Sequence, residues 1–314
     1  MTVIPLLIQQ ILSMLSMVLC GFVLGKQKLV TVDQSRVLSR ICVYIMIPSS
    51  LICAFSSGRD TEKMAGLAVG LLCGASVHAL YLGAAAALSI GKIGFTREEQ
   101  ASVIYNNAGN LAIPMVQSIL GPEYVIYNVP YILIQNFLMW TNGRKLMGGN
   151  QKLTVSEVAS NPVIASIGIG VILFGTGISL PPFLESSVAG LGACVGPVSM
   201  IVTGVLMSEQ DLGEVFSNRR VYLVTAVRLL LFPLMTIPVL YAAGRIWQQS
   251  GLVDVLTVCL LCAIGPSAST ITQQAILWRN PHAGYVSSIN VLTTLCCAVT
   301  MPAMSALFLV LMHM

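Results

Sequence analysis

The sequence predicts an all-α polytopic membrane protein. Ten transmembrane helices are expected, in two inverted five-helix repeats whose helices 4 and 9 are broken. Three observations predict this. Charged residues make up only 9% of the 314-residue chain and hydrophobic ones 56%, whereas soluble domains carry about 25% charge. Apolar runs of about 20 residues, the length that crosses a bilayer, recur from end to end. Two runs are interrupted by proline, glycine and polar side chains at matching places, Tyr105–Pro114 and Ala263–Thr270.

The expected spans run 3–25, 36–57, 64–91, 101–119, 123–141, 159–177, 182–207, 219–245, 252–276 and 283–312. The first has no Lys or Arg ahead of it and is longer than a signal-peptide core, so it is expected to be retained. The connections are short and hold nearly all the charge. The longest polar one separates a first repeat, 1–141, from a second, 159–314, through a cytoplasmic linker, 142–158. Twelve Lys and Arg fall in the loops of one side; only Arg59, Lys63 and Arg245 fall in those of the other. Basic loops stay inside, so both termini are expected outside. Trp140, Trp247 and Trp278 lie at expected span ends, as an interfacial aromatic belt requires.

The two halves echo each other. Pro48 in PSSLI parallels Pro197 in PVSMI, an offset of 149 residues; Pro114 parallels Pro266, an offset of 152. Five spans per half is odd, so the second half inserts upside down, the plan of many secondary transporters.

The two interruptions carry the chemistry. Proline removes a backbone donor and clashes with the preceding turn, so an interior proline breaks or kinks a helix. The freed backbone groups cannot face lipid and must be buried in protein or line a cavity. Proline suits a first helical position, so the trailing half-helices are expected to restart at Pro114 and Pro266. Helix N-termini present unpaired N–H groups and partial positive charge, which favour an anion. Asn107 and Asn110 add amides; Ser267, Ser269 and Thr270 add hydroxyls; Gln273, with Gln274 beside it, lies a turn further on.

Ionisable residues inside a membrane are functional suspects. Arg228 has two readings: an anion-attracting charge or latch on a broken-helix carbonyl, and a side chain snorkelling to the inner surface. His78 is a proton relay or a hydrogen-bonded structural histidine. No carboxylate falls near the middle of any expected span, which argues against a cation/proton antiporter. The nine cysteines all sit in or beside apolar runs, where cysteine behaves as a small hydrophobe, so no disulfide, metal or cofactor is expected. No basic cluster suits nucleic acid. Hydrolase and phosphate-loop motifs are missing, and no enzyme is expected.

The run YNNAGNLAIPMVQSILGPEYVIYNVPYILIQNFLMWTNGRKLM, residues 105–147, resembles the fourth and fifth spans of the auxin efflux carrier family. Asn110, Pro114, Gly121, Trp140, Thr141 and Gly143 fit its pattern. LGACVGPVSMIVTGVLMS resembles its seventh span, and RLLLFPL and AIGPSAS its eighth and ninth. The resemblance implies a bile-acid-symporter/antiporter-like elevator fold, with a crossover-bearing transport body sliding on a scaffold of spans one, two, six and seven. It also implies homodimers through the scaffold, and substrate contacts at Asn110 and around Pro266. Ala112 stands where the family often has glycine, and the short middle loop is unlike that of many plant members. A bacterial-type inner-membrane carrier fits this better than an auxin carrier. The expected function is secondary transport of a small organic anion such as a carboxylate. A sodium-coupled organic-anion symporter and a non-transporting membrane sensor are the alternatives.

Overall fold

A computed structural model describes residues 3–55, 61–148, 161–210, 212–247 and 251–312; Arg59 and most of the expected linker, including Lys152, lie outside them. The described residues are helical and contain no strand, only one isolated bridge. In chain order the helices are α1 (Val3–Lys26), α2 (Val32–Phe55), α3 (Thr61–Ile90), α4 (Arg97–Ile104), α5 (Ile113–Ile119), α6 (Asn128–Leu138), α7 (Pro162–Thr176), α8 (Pro182–Ser208), α9 (Arg219–Ile246), α10 (Leu252–Ala263), α11 (Ser269–Leu277) and α12 (Ala283–Met312). Six of them, α1, α2, α3, α8, α9 and α12, are long and apolar enough to cross a membrane, while α7 and α10 are shorter apolar helices.

Local sequence explains where the helices start. Thr31 caps α2 and Thr96 caps α4, each through a capping box with Gln34 or Glu99 three residues on; the box satisfies two orphan donors at once. Asn161 caps α7 ahead of Pro162, and Gly177 ends it at φ 69°, a left-handed conformation that glycine adopts without penalty. Asn218 caps α9.

Prolines follow three of the four π turns among the described residues; the fourth, Met139–Gly143, has none after it. Wide π turns occupy Cys42–Met46, Ala108–Ala112 and Val227–Leu231, and each ends two residues before a proline: Pro48, Pro114 or Pro233. Proline lacks the N–H and its ring crowds the carbonyl four residues back, so the backbone widens there rather than breaking outright. In the fourth run this corrects the expected restart at Pro114. The helix resumes with the π turn at Ala108, and Pro114 sits at the second position of α5.

The chain forms two compact units that interleave the sequence halves. The first comprises residues 1–69, 109–129 and 154–209, the second 70–108, 130–153 and 210–314. In the first unit, α1 runs against the second half of α8, and small residues allow contact at backbone distance. A Cβ added at Gly204 would lie 2.0 Å from the Val18 carbonyl oxygen, and one at Gly21 would lie 2.1 Å from that of Ile201. Gly21 and Gly25 form a GxxxG pair, and Gly25 faces Ser208; such small faces are how helices associate where the solvent is lipid. The same device seats Gly192 against Ser50 and Gly170 against Phe55.

In the second unit a polar knot ties the start of α4 to α9 and α12. Glu99, 1% exposed, accepts from Arg220 Nε at 2.6 Å and Nη2 at 2.9 Å, and from the Tyr285 hydroxyl at 2.7 Å. Arg220 also donates to the carbonyls of Ile93 and Gly94. Burial pushes the Glu99 carboxyl up. The Arg220, Tyr285 and Thr96 donors, with the Arg220 charge, outweigh that and hold it below the usual carboxylate range. A depressed acid contributes stability above its unfolded value, about 4.3, and loses it as pH falls through the folded value.

Two outcomes follow. Gly204→Val should lower the melting temperature in detergent by several degrees, because overpacking costs about 1–3 kcal/mol and the obstacle here is backbone. The stability advantage of wild type over Glu99→Gln should be constant from about pH 8 to pH 5 and shrink below about pH 4. Parallel melts of both proteins across that range measure it.

Candidate functional site

The second unit holds the point where the two interrupted runs meet. Helix α4 ends at Ile104 and Tyr105 turns extended, at φ −96° and ψ 126°. Helix α10 ends at Ala263, and the chain stays irregular until Ser269. The two extended pieces pair antiparallel through Asn106 and Ser267. The Asn107 N–H donates to the Pro266 carbonyl and the Ala268 N–H to that of Tyr105, both at 3.0 Å. Pro266 therefore does not start the second half of the ninth run, as expected from sequence. It lies inside the pairing, where its carbonyl is used and no N–H is required, and α11 starts three residues later.

Side chains bond several of the remaining backbone groups of the crossing. Gln135 Nε2 donates to the Asn106 carbonyl at 2.7 Å. Asn290 Nδ2 donates to the Ser267 carbonyl at 2.7 Å, and the Ser267 N–H reaches Thr293 Oγ1 at 3.2 Å. Asn106 Nδ2 donates to the Tyr131 hydroxyl at 2.7 Å and lies 3.3 Å from the Ala263 carbonyl. The Tyr81 hydroxyl sits 2.6 Å from Thr236 Oγ1 and also reaches Ala263 O.

Arg228 is at the centre. It is 0% exposed, which excludes snorkelling and leaves the latch. Its Nε and Nη2 donate to the Gly265 carbonyl at 3.0 and 2.8 Å, Nη1 donates to Val103 O at 3.0 Å, and Nη2 also donates to Ala263 O. The guanidinium lies 5.5 Å from the centre of the Tyr81 ring. It stands in the π turn that Pro233 induces in α9. Among the described residues no carboxylate pairs with it.

His78, 1% exposed, is bonded through Nδ1 to Gly74 O at 2.7 Å and packs on Tyr131, ring centres 4.5 Å apart. Its Nε2 has no protein partner, as is also true of Asn106 Oδ1, Gln135 Oε1 and Ser267 Oγ. The other residues singled out in this unit differ in exposure. Asn107 is 9% exposed and Ser267 fully buried, Ser269 and Thr270 are half-buried, and Gln273 is exposed. Gln274, its neighbour, is the one turned inward, donating to Met139 O at 3.4 Å. Ala268, the residue ahead of α11, caps it with no side chain.

Asn110 and Pro114 belong to the first unit. Because Pro114 has no N–H, the Asn110 carbonyl loses its helical donor; Ser199 Oγ lies 3.1 Å from it, with Val195 O and Gly196 O also in reach. Pro114 lines a cavity of about 550 Å³ with Gln10, Ser13, Ser50, Gln117 and Pro197, and Gln117 Nε2 donates to Ser50 Oγ at 3.0 Å.

Sequence reasoning missed Gln135, Tyr131, Tyr81, Asn290 and Thr293. The available signal was a polar side chain amid apolar neighbours, as in YILIQNF and SINVLTT. Gln135→Leu should leave the buried Asn106 carbonyl unpaired at a cost of about 1–3 kcal/mol, seen as a lower melting temperature of the purified protein.

A family model described as membrane transport protein matches the chain twice, over residues 6–160 and 148–305. A search of curated proteins finds no match. With six helices able to span a bilayer and a family match covering most of its length, the chain is an integral membrane transporter that belongs to the membrane transport protein family, that of the auxin efflux carriers.

Proposed function

We propose that the protein is a secondary carrier for a small organic anion such as a carboxylate, working by elevator-type alternating access. Substrate would bind where helices 4 and 9 cross. The single observation that carries the anion assignment is the buried, permanently charged Arg228 at the crossing, with no acid paired to it. Among the described residues the other buried charged side chains are Glu99, which is paired with Arg220, and Arg144. Among the described residues no carboxylate pairs with Arg228, so an anion entering the crossing meets a cation held only on backbone carbonyls.

Asn107, Ser269 and Thr270 are the substrate contacts in this reading. They stand next to the uncapped first turn of α11, whose N–H groups and dipole attract negative charge. Ser267 Oγ is a buried polar atom without a protein partner and supplies a further donor. Asn110 is proposed as a contact because of its place in the matching pattern. Pro114 is proposed as a contact on the same ground.

The finer architecture is part of the same proposal: ten crossings, two inverted five-helix repeats, termini outside, a bacterial inner membrane and a homodimer through scaffold helices. Expected spans one, two, six and seven fall in the first unit, as a scaffold in the elevator reading requires, and residues 109–129, with the trailing half of span four, fall there too. The experiment is uptake of labelled small mono- and dicarboxylates into proteoliposomes. Asn107→Ala should reduce flux of a transported acid at least about tenfold, the scale of one lost charge-assisted hydrogen bond, while leaving the melting temperature near wild type. If no acid is transported, or flux survives that change unaltered, the assignment fails.

A further inference from the structure

The crossing is a cage of carbonyl oxygens with a cation already in it. The oxygens of Val103, Ala263 and Gly265 converge on Arg228. Val103 lies in the last turn of α4 and Ala263 ends α10, so two helix C-termini direct the negative ends of their dipoles at one point. Unwound carbonyls and half-helix C-termini are the chemistry by which broken helices coordinate a monovalent cation. We propose that the Arg228 guanidinium is a tethered replacement for a coupling cation. It fills the carbonyl cage permanently, so the carrier binds neither Na⁺ nor K⁺ there and its flux requires a gradient of neither.

The chemistry of the side chain supports permanence. Arginine stays protonated throughout the range in which proteins fold, so the cage cannot empty by proton loss. A planar fork with five donors meets several carbonyls at once, where an ammonium is a point charge. The group is fully buried and its charge is balanced by dipoles rather than by an acid. Removing it would take the guanidinium donors from three buried carbonyls, of which only that of Ala263 keeps side-chain donors, Tyr81 and Asn106; such a state favours any small cation that enters.

The inference rests on the crossing being the transport site, but its test uses no transported anion and so fails independently of that reading. Purified protein is melted in choline, sodium and potassium chloride at equal ionic strength. Wild type should melt at one temperature in all three. Arg228→Lys keeps the charge and should melt lower, still with no preference among the salts. Arg228→Met should fall furthest in choline and recover part of the loss, on the order of 5 °C, in sodium or potassium. A sodium- or potassium-specific rise in wild type overturns the proposal, and so does an Arg228→Met protein as stable as wild type in choline. If Arg228→Met folds in no salt, the decision passes to Arg228→Lys: a folded, salt-indifferent protein upholds the proposal. Failure of that variant too overturns it, because the cage then requires the shape of arginine and not its charge.

Discussion

Two helices stop inside the interior of one unit, and their freed backbone groups have no water to turn to. An unpaired buried carbonyl or N–H costs about as much as the desolvation of that group. The pairing of Asn106 with Ser267 satisfies part of this demand by making each interruption the partner of the other. What the pairing leaves over falls to side chains from three further helices: Gln135, Asn290 with Thr293, and above all Arg228, which alone reaches three carbonyls. Without these neighbours neither break would be stable, so the polar residues scattered through the apolar runs of α6, α9 and α12 have a common cause.

Proline acts twice in this arrangement, at different distances. Inside the crossing, Pro266 accepts from the Asn107 N–H through its carbonyl and, having no N–H, gives no bond back. Elsewhere a proline acts on the turn before it, and Pro233 widens α9 around Arg228 in this way. The π turn adds a residue to the helix and so alters which side chains face inward. The first unit solves a different problem, association without a hydrophobic driving force, and solves it with glycines: Gly21 and Gly204 bring α1 and α8 into backbone contact, and Gly25 makes room for the Ser208 side chain.

The electrostatics of the second unit divide along the same line. Helix C-termini at Val103 and Ala263 are neutralised by a fixed cation, whereas the N-terminus of α11 is left without a side-chain cap. One set of dipole ends is thereby satisfied within the protein and the other is available to a ligand. That asymmetry is the physical basis of the anion proposal, and the bonds from Arg228 are the ones that close the break.

Much of this was legible in the sequence. Apolar run length is a local property, and it located the six long helices; the two interruptions were equally plain, because Pro114, Pro266 and their polar neighbours break a pattern that would otherwise continue. What the sequence could not decide was anything that depends on a partner distant in the chain. It left Arg228 split between latch and snorkel, because burial is set by packing of α4, α10 and α9 around it. It placed helix restarts at Pro114 and Pro266, because the propensity of proline is local, while the pairing that holds Pro266 extended joins residues about 160 positions apart. It singled out Gln273 and named Gln274 only as its neighbour, because which of two adjacent glutamines turns inward depends on the starting residue of α11, and that start is fixed by the crossing. Local chemistry determined where the chain must break; only the tertiary structure decided which atoms close the breaks, because each of those bonds requires a donor from another helix.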